Sequence, residues 1–193
     1  MKGLETALIA LFKALYTQLG AALLVTILSL STLLYARKIG IKEVLRELWM
    51  TLKRDVRFRH QGILIFYLMM VCFRTLLCRE LWINPLSDVI GVWGIYDHEG
   101  NLYVEGILNF LLFIPLMICW FSVYPSKSTK IGSLFLSLKL GFLFSLSIEL
   151  CQLFLKLGTF QLSDIFYNTL GGLCGGIFYI LYISIKKMIK DKH

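Results

Sequence analysis

The sequence predicts an all-α membrane protein: a five-span transmembrane helical bundle with a cytoplasmic amphipathic helix and an outer interfacial loop. Three observations predict it. Hydrophobic residues fill 58% of the 193 positions and charged residues only 17%, against roughly 45–50% and about 25% in soluble domains. Mean hydropathy is +0.74. The apolar residues also gather into runs near the length of about 20 residues that a helix needs to cross a hydrocarbon core of roughly 30 Å.

Three runs, 14–36, 106–126 and 165–185, hold no charge. Run 62–78 is interrupted by Arg74, and run 131–155 by Lys139 and Glu149. Residues 1–13 carry Glu5 and Lys13, and no small-x-small cleavage site follows the first run. That run is therefore expected to be retained as a span and not removed as a signal peptide. The chain divides into residues 1–61, the first span plus a basic amphipathic segment; 62–185, a four-helix transmembrane core; and 186–193, a basic tail.

Charge sorts by loop. Segment 37–59 holds eight Lys and Arg against Glu43, Glu47 and Asp55. Lys127 and Lys130 follow the third span, and Lys186, Lys187, Lys190 and Lys192 follow the fifth. Segment 79–105 instead has five acids and one base, Arg79. Basic loops stay cytoplasmic, which places the N-terminus and the acidic loop outside and the tail inside. The net charge of +8 is thus a topology signal, and no nucleic-acid partner is expected.

Within the first basic loop Ile41, Val44, Leu45, Leu48, Trp49, Leu52 and Val56 recur at helical spacing. This pattern predicts a helix on the cytoplasmic leaflet, although a partner-binding helix has a similar pattern. In the outer loop, Trp82, Trp93 and Tyr96 with little charge suit the membrane interface, and Asn84-Pro85 predicts a turn.

The cysteines, Cys72, Cys78, Cys119, Cys151 and Cys174, are odd in number and form no C-x-x-C pair. They are expected to behave as small hydrophobes, with no metal and no cofactor. His60, His98 and His193 are assigned to loops or the tail.

The chemistry lies in polar residues inside the spans. At 1.5 Å per residue, Arg74 falls about 6 Å from the outer end of the second span. Glu105 and Asn109 begin the third span, Glu149 and Gln152 end the fourth on one face, and Asp164 and Asn168 begin the fifth on one face. All occupy the outer half of the bilayer. The reading is a single polar site in which Arg74 forms a bidentate pair with Glu149 or Asp164, with Arg79 nearby. Such groups also fasten transmembrane helices together, and Asn109, Gln152 and Asn168 suit that role. Lys139, some 12 Å from the inner start of its span, is expected to reach the cytoplasmic surface along its stem. Gly171 with Gly175, and Gly172 with Gly176, form small-xxx-small pairs that allow close helix approach, expected within the monomer; oligomeric state is not specified.

These motifs resemble a known family. Arg74-Thr-Leu-Leu-Cys-Arg79, Asn84-Pro85-Leu-Ser-Asp88-Val, Asn109-x-x-x-Phe113-x-Pro115, Glu149-x-x-Gln152 and Asp164-x-x-x-Asn168-Thr-Leu-Gly171-Gly172-x-x-Gly175 together look like the VanZ-like family. Leu116 stands where the family often has glycine, and the stretch before the last span carries only Lys156. The resemblance implies a bacterial cell-membrane protein related to the accessory factor for resistance to the lipoglycopeptide teicoplanin; it implies no reaction.

Two functions follow. One is a binding module whose outward-facing site engages an envelope lipid headgroup or a glycopeptide antibiotic, with arginine forks on phosphate or carboxylate. The alternative is an intramembrane enzyme acting on a lipid-linked cell-wall precursor, using the two acids as general acid and base. The chain lacks a G-x-S-x-G elbow and an H-E-x-x-H pair, which disfavours catalysis. Absence of an internal repeat disfavours a transporter.

Overall fold

The computed structural model describes residues 19–32, 40–77, 81–97, 99–126 and 128–191, with positions 9 and 35. Six helices follow one another in these residues: α1 (Leu19–Thr32), α2 (Ile41–Arg54), α3 (Val56–Cys72), α4 (Val104–Val123), α5 (Lys130–Leu155) and α6 (Leu162–Lys190). A π-helical turn, Phe73–Leu77, extends α3.

Four helices are long and apolar enough to cross a membrane: Val56–Leu76, Val104–Val123, Lys130–Leu155 and Leu162–Lys190. The chain is a multi-pass membrane protein. The expected first span is described only over Leu19–Thr32, short of the length of about 20 residues that a crossing takes; the rest of run 14–36 lies outside the described residues, apart from Tyr35. Four spans are therefore present among the described residues.

Two sequence boundaries need correction. The amphipathic segment does not run through Val56. Asp55 adopts φ −105° and ψ 108°, ending α2, and its carboxylate accepts from the N–H groups of Arg57 at 2.8 Å and Phe58 at 3.2 Å. One aspartate thus stops one helix and N-caps the next. Val44 and Leu48 of α2 are buried against Leu30 of α1, so part of the apolar face packs inside the protein, while Leu45 and Trp49 stay exposed. The second correction concerns His60. It is not in a loop but in α3, where its Nδ1 lies 3.2 Å from the Ser122 carbonyl of α4.

α6 is the central helix, packed on α4 and α5, while α3 packs on α4 and its π-helical extension touches α5. The glycines explain the position of α6. A Cβ at Gly171 or Gly175 would strike the carbonyl oxygens of Phe110 or Ile114 on α4. A Cβ at Gly172 would sit 3.1 Å from the Cα of Gly141 on α5, and one at Gly176 would strike Ser137. Two glycine rows on one helix therefore admit two neighbouring helices at backbone distance.

α5 is built inside out relative to a water-soluble helix. Its buried residues are Ser133, Ser137, Gly141, Ser145, Glu149 and Gln152. Phe135 and Phe154 are 71% and 78% exposed. Small and polar side chains face the bundle and large apolar ones face outward, as expected where lipid replaces water. α3 joins α4 through Leu64, Val71, Leu112, Phe113 and Leu116, and the Tyr67 hydroxyl donates to the Leu112 carbonyl at 2.8 Å.

Segment 81–97 folds onto the start of α6. The N–H groups of Phe160 and Leu162 each donate at 2.8 Å, to the carbonyls of Pro85 and Val89, and the Ser163 N–H reaches the Ile90 carbonyl at 3.3 Å. The Trp82 N–H donates to the Lys156 carbonyl at 2.8 Å, tying the loop to the end of α5. Ile83, Trp82, Trp93 and Tyr96 remain exposed.

Candidate functional site

The start of α6 is where most of the singled-out residues meet. A helix begins with N–H groups that have no partner within the helix. Here they are taken by the carbonyls of 81–97 and, at the N-cap, by a side chain: Glu149 Oε2 accepts from the Gln161 N–H at 2.9 Å. Glu149 is 2% exposed. The Gln161 side chain continues outward, donating to Asp88 Oδ2 at 2.8 Å, and Asp88 Oδ1 accepts from the Gly91 N–H at 3.1 Å. A chain of polar contacts thus runs from the interior of α5 to the loop.

Asp164 lies in the first turn of α6, where the helix dipole favours a carboxylate, and it is 5% exposed. One turn deeper, Asn168 Nδ2 donates to Ser145 Oγ on α5 at 2.8 Å. Gln152 Nε2 donates to the Thr75 carbonyl at 2.8 Å. Thr75 belongs to the π-helical turn, whose wider hydrogen-bond spacing accommodates an additional residue. Arg74 is the neighbouring residue in that turn and is half-buried. The amide oxygens of Gln152 and Asn168 are buried with no hydrogen-bond partner among the described residues, leaving two acceptors in the site for an incoming donor.

Tyr103, at the N-cap of α4, reports on the other carboxylates. Its hydroxyl is pushed above the ordinary phenol range, first by burial and then by the negative charges of Asp164 and Glu105, with the Ser163 hydroxyl pulling the other way. The carboxylates of α4 and α6 therefore share one neighbourhood. The Tyr167 ring stands 6.1 Å from that of Tyr103, and its hydroxyl holds Gly94 from both sides, at 2.7 and 2.9 Å.

Glu149, Gln152, Asp164 and Asn168 are all buried on α5 and α6, and Asp164 and Glu105 both act electrostatically on Tyr103. Asn109 is buried on α4 one turn beyond Glu105. None of Arg74, Glu105, Glu149 and Asp164 lacks an interaction partner. Arg79, Cys78, His98 and His193 lie outside the described residues. Lys139 is exposed on α5. Among the described residues no group of three or more His, Cys, Asp or Glu is placed to hold a metal ion.

Ser145, Thr75, Tyr103, Gln161 and Asp88 are not among the site residues that the sequence predicts. Ser145 had a signal: Ser133, Ser137, Gly141, Ser145 and Glu149 recur every four residues along one α5 face. Gln161 and Tyr103 sit at helix starts and Asp88 in a loop, where residue spacing carries no such information.

No curated protein and no solved structure matches the chain. A family model described as VanZ/LLP1 matches residues 63–183. That match covers more than half of the chain, from before Arg74 to beyond the glycine rows of α6, and the chain therefore belongs to the VanZ/LLP1 family.

Proposed function

We infer that this VanZ/LLP1 protein is a bacterial cell-membrane protein with a polar intramembrane site facing the outside, which binds an envelope lipid headgroup or a lipoglycopeptide antibiotic. In this reading residues 14–36 form a fifth span, the N-terminus and segment 81–97 lie outside, and the basic tail lies in the cytoplasm. Arg74 and Arg79 attract a phosphate or carboxylate, and Glu149, Asp164 and the two unpartnered amide oxygens receive donors. The outcome is lowered susceptibility to glycopeptides such as teicoplanin, or an altered envelope composition.

The observation that carries this reading is the burial of Glu149 beside the start of α6, hydrogen-bonded to the Gln161 N–H, with Gln152, Asp164 and Asn168 also buried. A carboxylate inside a bundle at membrane depth is costly, and polar groups of this kind mark functional sites. The test is teicoplanin susceptibility of a sensitive bacterium expressing the chain, Glu149→Ala or Asp164→Asn. Protection by the chain should be lost in both variants at unchanged membrane level; protection that survives both rejects the site.

A catalytic reading draws on one observation, the placement of Tyr103 beside two carboxylates. Turnover of a labelled lipid-linked cell-wall precursor by the purified chain, abolished by Asp164→Asn, would select it over binding.

A further inference from the structure

A cavity of about 130 Å³ lies at the end of the bundle opposite the start of α6, between the α4–α5 connection, the start of α5 and the C-terminal half of α6. Ser133 on its wall is about 24 Å along α5 from Glu149. Its polar lining is Ser126, Ser128, Lys130, Ser133, Tyr179 and Ser184, and none of the described lining residues is acidic. Such a set offers hydroxyl and ammonium donors and repels no anion. A water centre needs roughly 10–15 Å³, so the space is enough for a larger polar group.

The hydroxyls are arranged to give protons outward. Ser126 Oγ accepts from the Ser128 N–H at 3.3 Å, and Ser133 Oγ stands 2.8 Å from Ser126 Oγ and 3.0 Å from the Thr129 carbonyl. Ser133 has one proton to share between those acceptors. When it donates to Ser126, the Ser126 proton is released to an incoming oxygen. Tyr179 is held by stacking on Phe121, ring centroids 5.1 Å apart. The remaining wall is Ile180 and Ile183, and Ile183 continues onto the exposed apolar surface of α6. Lys187 follows Ser184 by three residues and so lies near the same face.

We propose that this cavity binds a phosphate group, that of a glycerophospholipid whose acyl chains run along Ile183 and the exposed side of α6. Phosphate supplies several acceptor oxygens to meet the serine, tyrosine and lysine donors. The glycerol end needs an opening onto apolar surface, which Ile180 and Ile183 provide. Basic pockets between transmembrane helices are suited to anionic headgroups. This site is independent of the one at the start of α6.

The test is native mass spectrometry of the full chain in detergent, titrated with phosphatidylglycerol, with diacylglycerol, which lacks the phosphate, and with free glycerol 3-phosphate. Phosphatidylglycerol should bind, and Lys130→Gln and Ser126→Ala should each weaken it by about tenfold. Lys130→Arg should keep it, and Lys53→Gln on α2, outside the cavity, should leave it unchanged. Equal retention of diacylglycerol, or an equal loss in Lys53→Gln, would overturn the proposal. Free glycerol 3-phosphate binding as tightly as the lipid would assign the cavity to soluble phosphates and overturn the lipid assignment.

Discussion

Glu149 on α5 and Gln161 at the start of α6 are joined by a side-chain-to-backbone hydrogen bond of 2.9 Å. The acid thereby completes the N-terminus of the next helix while its own charge is kept inside the bundle. Removing that acceptor strands a donor. Glu149→Ala should lower stability by about 1–3 kcal/mol, the cost of leaving a half-buried N–H unpaired, whereas Glu149→Gln, which keeps a carbonyl oxygen, should lose less than half of that. Thermal unfolding in detergent measures both. Equal losses would show that charge, and not the acceptor, matters there.

The glycine contacts give an ordered series. Gly171→Ala drives a methyl into the Phe110 carbonyl and should cost about 1–3 kcal/mol as α4 and α6 separate. At Gly141 the added carbon would meet the Thr169 backbone at 3.4 Å, ordinary contact, so Gly141→Ala should cost less. Gly20 has nothing within 4 Å of its added carbon, and Gly20→Ala should gain about 0.5–1 kcal/mol from lower chain entropy. A different rank order in unfolding would contradict the packing described.

Gly91 has φ +71°, and a Cβ there would collide with Ser163. Gly91→Ala should cost about 1–2 kcal/mol from the left-handed backbone alone and loosen the loop from α6. Hydrogen exchange at Leu162 and Ser163, whose amides donate to loop carbonyls, should accelerate. Unchanged protection at those two amides would sink the idea that the loop caps the helix.

Tyr103 makes stability depend on alkaline pH. Its folded pKa is raised above the ordinary 10.0 by burial and then by Asp164 and Glu105. The contribution is therefore fully present below pH 10.0 and is lost as the unfolded chain ionises and pH climbs toward the folded value. Between about pH 9 and about pH 11.5 the wild type should lose more thermal stability than Tyr103→Phe. Parallel loss in the two proteins would show that neither burial nor the nearby carboxylates hold the Tyr103 hydroxyl neutral.

The membrane class, the approximate position of the four described spans and the small-residue rows of α6 are legible in residue order alone. The reason is that a helix in lipid must satisfy its own backbone, so each span is written as one continuous apolar run. The same reasoning singles out Glu149, Gln152, Asp164 and Asn168, because a short polar side chain in or beside an apolar run cannot reach the membrane surface as Lys139 does and so turns to protein. What depends on contacts between distant segments is that 81–97 covers the start of α6 and that the Thr75 carbonyl of the π-helical turn receives the Gln152 amide. Those features rest on backbone N–H and C=O groups, such as Leu162 with Val89, brought together from distant parts of the chain. Every residue but proline carries both groups, so their pairing leaves no mark in residue type.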